Sequence, residues 1–189
     1  LSDGREAGSD RVRETIVGKQ IEMADFHNLT DWCVELGVVA NVFFIFSHPT
    51  ETWDEAQVTI RIIEQYKDRI EGSVAILHIY PGTPLEAHAK ATGFLPAGFT
   101  WTRRYRKGVI TLPTAQCDVP LSLDKLTWAQ VSELVLRWSF SAKRTSLLKK
   151  APRALGQVRS LGDLKRLVIM GLVYLKLKRA ARRNPRTQT

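Results

Sequence analysis

Val38 to Phe46 reads VVANVFFIF, an apolar run interrupted only by Asn41. β-Branched and aromatic side chains dominate it, and these fit a pleated surface. A strand with one solvated face alternates apolar and polar residues. A near-continuous apolar run is instead what a strand covered on both faces requires, as in a parallel sheet. The stretch therefore predicts a buried strand inside an α/β fold.

The chain on either side supports this. Thr52 and Glu55 form a T-x-x-E capping box, opening a helix that carries Ala56, Ile60, Ile63, Tyr66 and Ile70 near the helical period. Ser73 to Ile79 is a second apolar run, read as another buried strand. It ends in Tyr80-Pro81-Gly82-Thr83-Pro84, where Pro81-Gly82 suits a tight turn and Pro84 the first turn of a helix stopping at Gly93. Upstream, Ser9 is placed to cap a short helix with Val12 and Ile16 that ends at Gly18. A longer helix follows, with Ile21, Met23, Ala24, Leu29, Trp32, Cys33 and Leu36, closed by Gly37. Such alternation predicts βα units around a parallel sheet or barrel.

Beyond Gly93 the pattern changes. Phe94 to Leu121 interleaves Gly, Pro and aromatics, with Gly108 to Leu112 read as a short extra strand. A T-x-x-Q pattern at Thr127 and Gln130 opens a helix carrying Trp128, Val131, Leu134, Val135, Trp138 and Ala142, ended by Pro152. Ser160-Leu161-Gly162-Asp163 begins a final helix with Leu164, Leu167, Val168, Gly171, Leu172 and Leu175, followed by Lys176, Lys178, Arg179, Arg182 and Arg183. Its unbroken apolar run, Leu167 to Leu175, is far short of the about 20 residues a spanning helix needs.

With 189 residues and 44% hydrophobic content, the chain suffices for one domain plus an appendage. Its net charge of +9 is unevenly spread. Lys143 to Thr189 holds 14 Lys and Arg against one acid, Asp163, while the residues before it hold 14 basic and 18 acidic. The basicity belongs to the tail, so a nucleic-acid function read from the pI is not supported. The tail also lacks the interleaved aromatics of a single-strand groove. Cys33 and Cys117 form no metal-ligand spacing and are read as packing thiols in a reducing setting. The polar start, Leu1 to Asp10, is no signal peptide. It resembles the end of a strand, so a truncation is expected there.

Three strand-to-helix junctions can carry chemistry: Arg5 to Asp10, Ser47 to Thr52, and His78 to Pro84. Ligands of parallel α/β folds sit at the carboxyl ends of strands, where helix N-termini offer unpaired N–H groups. Each junction alone is also what any polar βα turn looks like. His48 and His78 titrate near neutrality, but no partner can be named for them from sequence, and structural roles are expected. The pairs Trp101 with Tyr105 and Trp128 with Trp138 are read as packing.

In combination the three segments resemble a known family. GREAGSDRV is similar to the "GVESGS-x-RVL" segment of radical S-adenosylmethionine (SAM) proteins, particularly those with a cobalamin-binding domain. VFFIFSHPTETWDEA is similar to the family's next strand, "FFI-x-G-x-PGET", and VAILHIYPGTPL to the "YPGTPL" strand end after it. The order and gaps match over Gly4 to Gly93. The basic extension with RSLGDLKRL resembles the family's tails less specifically.

The resemblance implies an α/β fold: residues 1–115 as the later βα units of a partial (βα)6 radical SAM barrel, and 116–189 as a basic α-helical C-terminal extension. Such enzymes cleave SAM reductively at a 4Fe-4S cluster held by CxxxCxxC, and the resulting 5′-deoxyadenosyl radical abstracts hydrogen from a substrate. That motif, and any cobalamin domain, would lie upstream. This chain alone is expected to be inactive. Glu6 and Ser9 match a polar pair facing the SAM ribose and methionine end; the plain role of Glu6 is to complement the following helix N-terminus. Glu51 and Thr52 match the "ET", with Thr52 read as a cap and Glu51 as either a turn stabiliser or part of the SAM wall. Tyr80 matches the aromatic beside adenine, where the backbone of Ile79 to Gly82 can reach the base, or it simply packs on the turn.

Departures from the family pattern are Ser47 in place of Gly, Arg5 in place of an apolar residue, and Leu1-Ser2-Asp3, which does not read as an apolar strand. Expected partners are an electron donor for the cluster and a small-molecule or lipid-like substrate, in a cytoplasmic setting. A competing reading is a non-catalytic binding module whose basic helix contacts a membrane surface or another partner. A third is a remnant that folds poorly.

Overall fold

Three strands, each followed by a polar turn, form a single parallel sheet in the order β1-β2-β3: β1 (Ser2–Glu6), β2 (Ala40–Phe46) and β3 (Ile70–Ile76). The computed structural model of the chain describes residues 2–93, 95, 100–101, 123–141 and 161–183. The strand proposed at Gly108 to Leu112, Tyr105, Cys117, the helix stop at Pro152, the cap at Ser160 and the boundary between 115 and 116 lie outside the described residues.

β2 and β3 pair in register from Ala40 with Ile70 to Phe46 with Ile76. β1 pairs Asp3 with Val42 and Glu6 with Phe44, so the register shifts between them. The strand that the sequence left doubtful therefore exists, and its irregularity lies just before Glu6. Arg5, the departure from an apolar residue, is fully buried on the helix side. Its guanidinium donates to the Glu22 carbonyl at 3.1 Å and lies 4.8 Å from the Phe26 ring centroid.

Between β1 and β2 run a short π-helix (Arg11–Ile16) and α1 (Met23–Glu35); α2 (Trp53–Gln65) joins β2 to β3, and α3 (Pro84–Ala91) follows β3. The caps expected at Thr52 and Pro84 form because their chemistry is local, whereas at the end expected to be capped by Ser9, Asp10 is the N-cap of the π-helix and makes no side-chain capping bond. Thr52 and Glu55 make both bonds of the capping box on α2, and Pro84 opens α3 behind Thr83. Gly18, Gly37 and Gly93 take left-handed φ at or just beyond the helix ends they were expected to mark.

The core lies on one side of the sheet. Ala40, Val42, Phe44 and Phe46 of β2 and Ile70, Val74 and Ile76 of β3 meet Phe26 and Cys33 of α1 and Ala56, Ile60 and Ile63 of α2. Also here is α4 (Trp128–Ser141), whose Val131, Leu134, Val135 and Trp138 pack on α2 and β3. The Trp138 indole donates to the Gly72 carbonyl at 2.9 Å, and Arg137 grips both oxygens of Glu64 at 2.8 and 2.6 Å. α5 (Leu161–Arg183) lies along α4. The expectation that β2 is covered on both faces is not met among the described residues: Phe43, on the opposite face, is 49% exposed. The apolar stripe of α1 also differs. Met23, Leu29 and Cys33 face the core as expected, but Trp32 and Leu36 are exposed, and Phe26 and Thr30 are buried in their place.

Candidate functional site

Because the strands are parallel, their carboxyl ends share one edge, and the three polar junctions meet there. Non-glycine residues with left-handed backbone occur at three described positions, Glu6, Ser47 and Thr50, and all three lie at this edge. Such a conformation costs an L-residue about 1–2 kcal/mol and persists only where the surroundings enforce it. Ser47 has φ 70°, a value glycine adopts freely, which is the physical reason a glycine suits this position.

Glu51 organises the second junction. Its side chain is fully buried, and its Oε2 accepts the backbone N–H of Ser47 at 2.6 Å and of His48 at 3.0 Å. The turn closes as the Glu51 N–H donates to the His48 carbonyl at 3.1 Å. Its Oε1 has no partner among the described residues. Burial without a cation in contact pushes this carboxyl up to about 7, even though the two backbone donors work against the rise. His48 is buried as well, its Nε2 likewise unpartnered among the described residues. Burial lowers its pKa, and the nearby Glu6 charge offsets part of the drop.

Glu6 sits at the end of β1 with its Oε1 2.8 Å from Lys19 Nζ, which also donates to the Gly4 carbonyl at 2.6 Å. Ser9 turns toward Glu55, donating at 3.3 Å. Glu55 receives Arg11 on both oxygens, at 2.6 and 2.8 Å, and Arg11 also reaches the Thr50 carbonyl at 2.9 Å. Arg11 holds the Glu55 carboxyl down at about 2. Gly8 completes this join: its N–H donates to Thr59 Oγ1 at 2.9 Å, and a Cβ there would stand 2.6 Å from Ile62 Cδ1 and 2.9 Å from Thr59 Cα. The first and second junctions are thus one connected piece.

The third junction is built separately. Tyr80 stands exposed at the edge, its ring 6.3 Å from His78. Thr83 caps α3 and donates to the Tyr80 carbonyl at 2.7 Å. Glu86 accepts from Gly82 N–H at 2.7 Å and from the Trp101 indole at 2.6 Å, and pairs with Lys90 at 2.6 Å. Those contacts, Lys90 first, hold its carboxyl at about 2. Asp124 lies between this piece and the second junction: it accepts the Thr50 N–H at 2.8 Å and stands 3.9 Å from His88 Nε2.

All four residues expected to bind a cofactor, Glu6, Ser9, Glu51 and Tyr80, therefore lie at one sheet edge, and each has protein partners of its own. Arg11, Glu86 and Asp124 were not foreseen. Two of them carried a readable signal: Arg11 falls on the Arg of the GVESGS-x-RVL pattern, and Thr83-Pro84-Leu85-Glu86 repeats the T-x-x-E spacing. No family model and no curated protein matches the chain.

Proposed function

We propose that this chain is the later part of a radical SAM enzyme and that the carboxyl edge of its sheet forms part of the wall on which SAM lies. One observation carries the reading. Three motif-like segments, far apart in sequence, share one edge of one parallel sheet, and the strained non-glycine residues occur there. Strands in sequential order with helices on one face are also what an arc of a (βα)6 barrel with an outer helical ring requires.

The residues present fit SAM by their chemistry. SAM carries an ammonium, a sulfonium, ribose hydroxyls and a flat base. Glu51, with one buried oxygen unpartnered among the described residues, and Glu6 are acceptors for the ammonium or the hydroxyls. A cation at Glu51 would return its carboxyl toward the ionised form. The Tyr80 ring offers a face for the base. Ser9, bonded to Glu55, is a positioning residue in this reading.

The residues do not fit the cluster. The two cysteines are far apart in sequence, and among the described residues no group of three or more His, Cys, Asp or Glu is placed to hold a metal ion. The 4Fe-4S ligands, and any cobalamin site, would belong to other segments of the parent enzyme.

Titrating SAM into the ¹⁵N-labelled chain tests the edge. Amide shifts are expected at residues 6–9, 47–51 and 79–82, and they should weaken in Glu51→Gln. The DNA upstream of the Leu1 codon tests the enzyme reading: an in-frame CxxxCxxC is expected. A start or stop codon in its place removes that reading, and a motif without SAM shifts moves the binding surface off this edge.

A further inference from the structure

α5 is a helix with two apolar sides, of which only one is covered among the described residues. Its inner side meets α4: Tyr174 stacks on Phe140 with centroids 5.6 Å apart, and Arg166 lies 5.3 Å over the Trp128 ring. Leu161, Leu164, Val168, Leu172 and Leu175 are 44% to 86% exposed. Their spacing gathers them into roughly 80° of the helix circumference and a stripe about 21 Å long. An amphipathic helix docked by one face presents polar residues on the other. A second contiguous apolar stripe marks a surface that something else covers.

Charge selects the occupant. Lys165 and Lys176 border one side of the stripe and Arg179 continues it, all three exposed, and Asp163 is the only acid in the helix. Lys176 comes within 3.9 Å of Glu133 while its side chain stays 76% exposed. Two copies meeting through this stripe would bring cationic rims together without acids to pair them, which disfavours self-association. A nucleic acid would satisfy the cations and leave the leucines in water. An anionic lipid surface satisfies both: aliphatic side chains enter the acyl boundary while Lys and Arg stems reach the headgroups.

We infer that the outward face of α5 is a peripheral docking surface for anionic membranes, lying in the interface plane. No helix among the described residues is long and apolar enough to cross a membrane, so the contact is one of lying on the bilayer. The inference is independent of the SAM reading. It would place the chain beside lipid whatever its chemistry.

The test is co-sedimentation of the full 189-residue chain with vesicles of phosphatidylcholine alone and with vesicles containing phosphatidylglycerol, at low and high salt. Binding is expected to the anionic vesicles, weakening as salt rises. Val168→Glu with Leu172→Glu should reduce it at least ten-fold. Lys165→Gln with Arg179→Gln leaves the apolar stripe intact and should reduce it by about five-fold per cation. Circular dichroism and the melting transition verify that each variant folds. Equal binding to phosphatidylcholine, or undiminished binding by the folded glutamate variant, overturns the inference. So does duplex DNA out-competing the vesicles. A dimer in sedimentation velocity that Val168→Glu dissolves assigns the face to a second copy and likewise overturns it.

Discussion

Replacing Glu51 by Gln tests the buried carboxyl at the sheet edge. In the unfolded chain this group ionises near 4.5, and in the folded protein it holds its proton to about 7. Across that window the folded state binds more protons than the unfolded state. The stability contributed is therefore full below 4.5 and falls as pH rises toward 7. The shift corresponds to at most about 3 kcal/mol, or a change of about 1–3 M in urea midpoint for a typical small-domain slope. His48 and His78 act in the opposite direction: burial lowers both below 6.5, so their contribution is present above 6.5 and lost as pH falls. The wild-type profile mixes these terms, and the difference between wild type and Glu51→Gln cancels the histidines. The amide oxygen still accepts from Ser47 and His48, but its buried N–H groups need acceptors. The variant should thus begin about 1–2 kcal/mol less stable at acid pH and overtake wild type as pH approaches 7. Urea unfolding at intervals from pH 4.5 to just above 7 measures this directly. A difference between the two proteins that stays constant across the window would refute the idea that Glu51 is protonated on folding.

Other substitutions probe the framework. Gly8→Ala forces a methyl against Ile62 and the Thr59 backbone and should cost about 1–3 kcal/mol in chemical denaturation. Thr52→Ala removes the side-chain acceptor for the Glu55 N–H and should cost about 1 kcal/mol, with the Arg11–Glu55 pair retained. Trp138→Phe deletes the bond to the Gly72 carbonyl and part of a buried ring. A loss of about 2 kcal/mol is expected in chemical denaturation.

Turns and caps were legible from sequence because their chemistry is confined to a few neighbouring residues, as at Thr52-x-x-Glu55 and Pro84. Strand limits were less so. Ile70 lies four residues after Tyr66 and reads as helical, yet α2 ends at Gln65 and Ile70 pairs with Ala40. Glu71-Gly72-Ser73 has no strand-like composition, and pairing with β2 imposes the conformation. On α1, the expected stripe held Cys33 together with Trp32 and Leu36, while Phe26 and Thr30 also fit a helical period with Cys33. Only the sheet decides which is buried. VVANVFFIF was correctly read as a strand, but its composition overstated how much of it is covered. At the site, the positions were visible and their couplings were not. Arg11 with Glu55, and Gly8 with Thr59, join residues too distant in sequence for spacing to reveal them.

Those couplings have a kinetic consequence. Glu55 and Thr59 lock the first junction onto the second, while the third rests on its own small cluster of Ile79, Ala89 and Leu95 with Leu85 and Trp101. Local opening proceeds in cooperative blocks, so the amides of Gly8 and of the turn around Glu51 should exchange with solvent deuterium as a single unit. The Gly82 amide should follow a clock of its own.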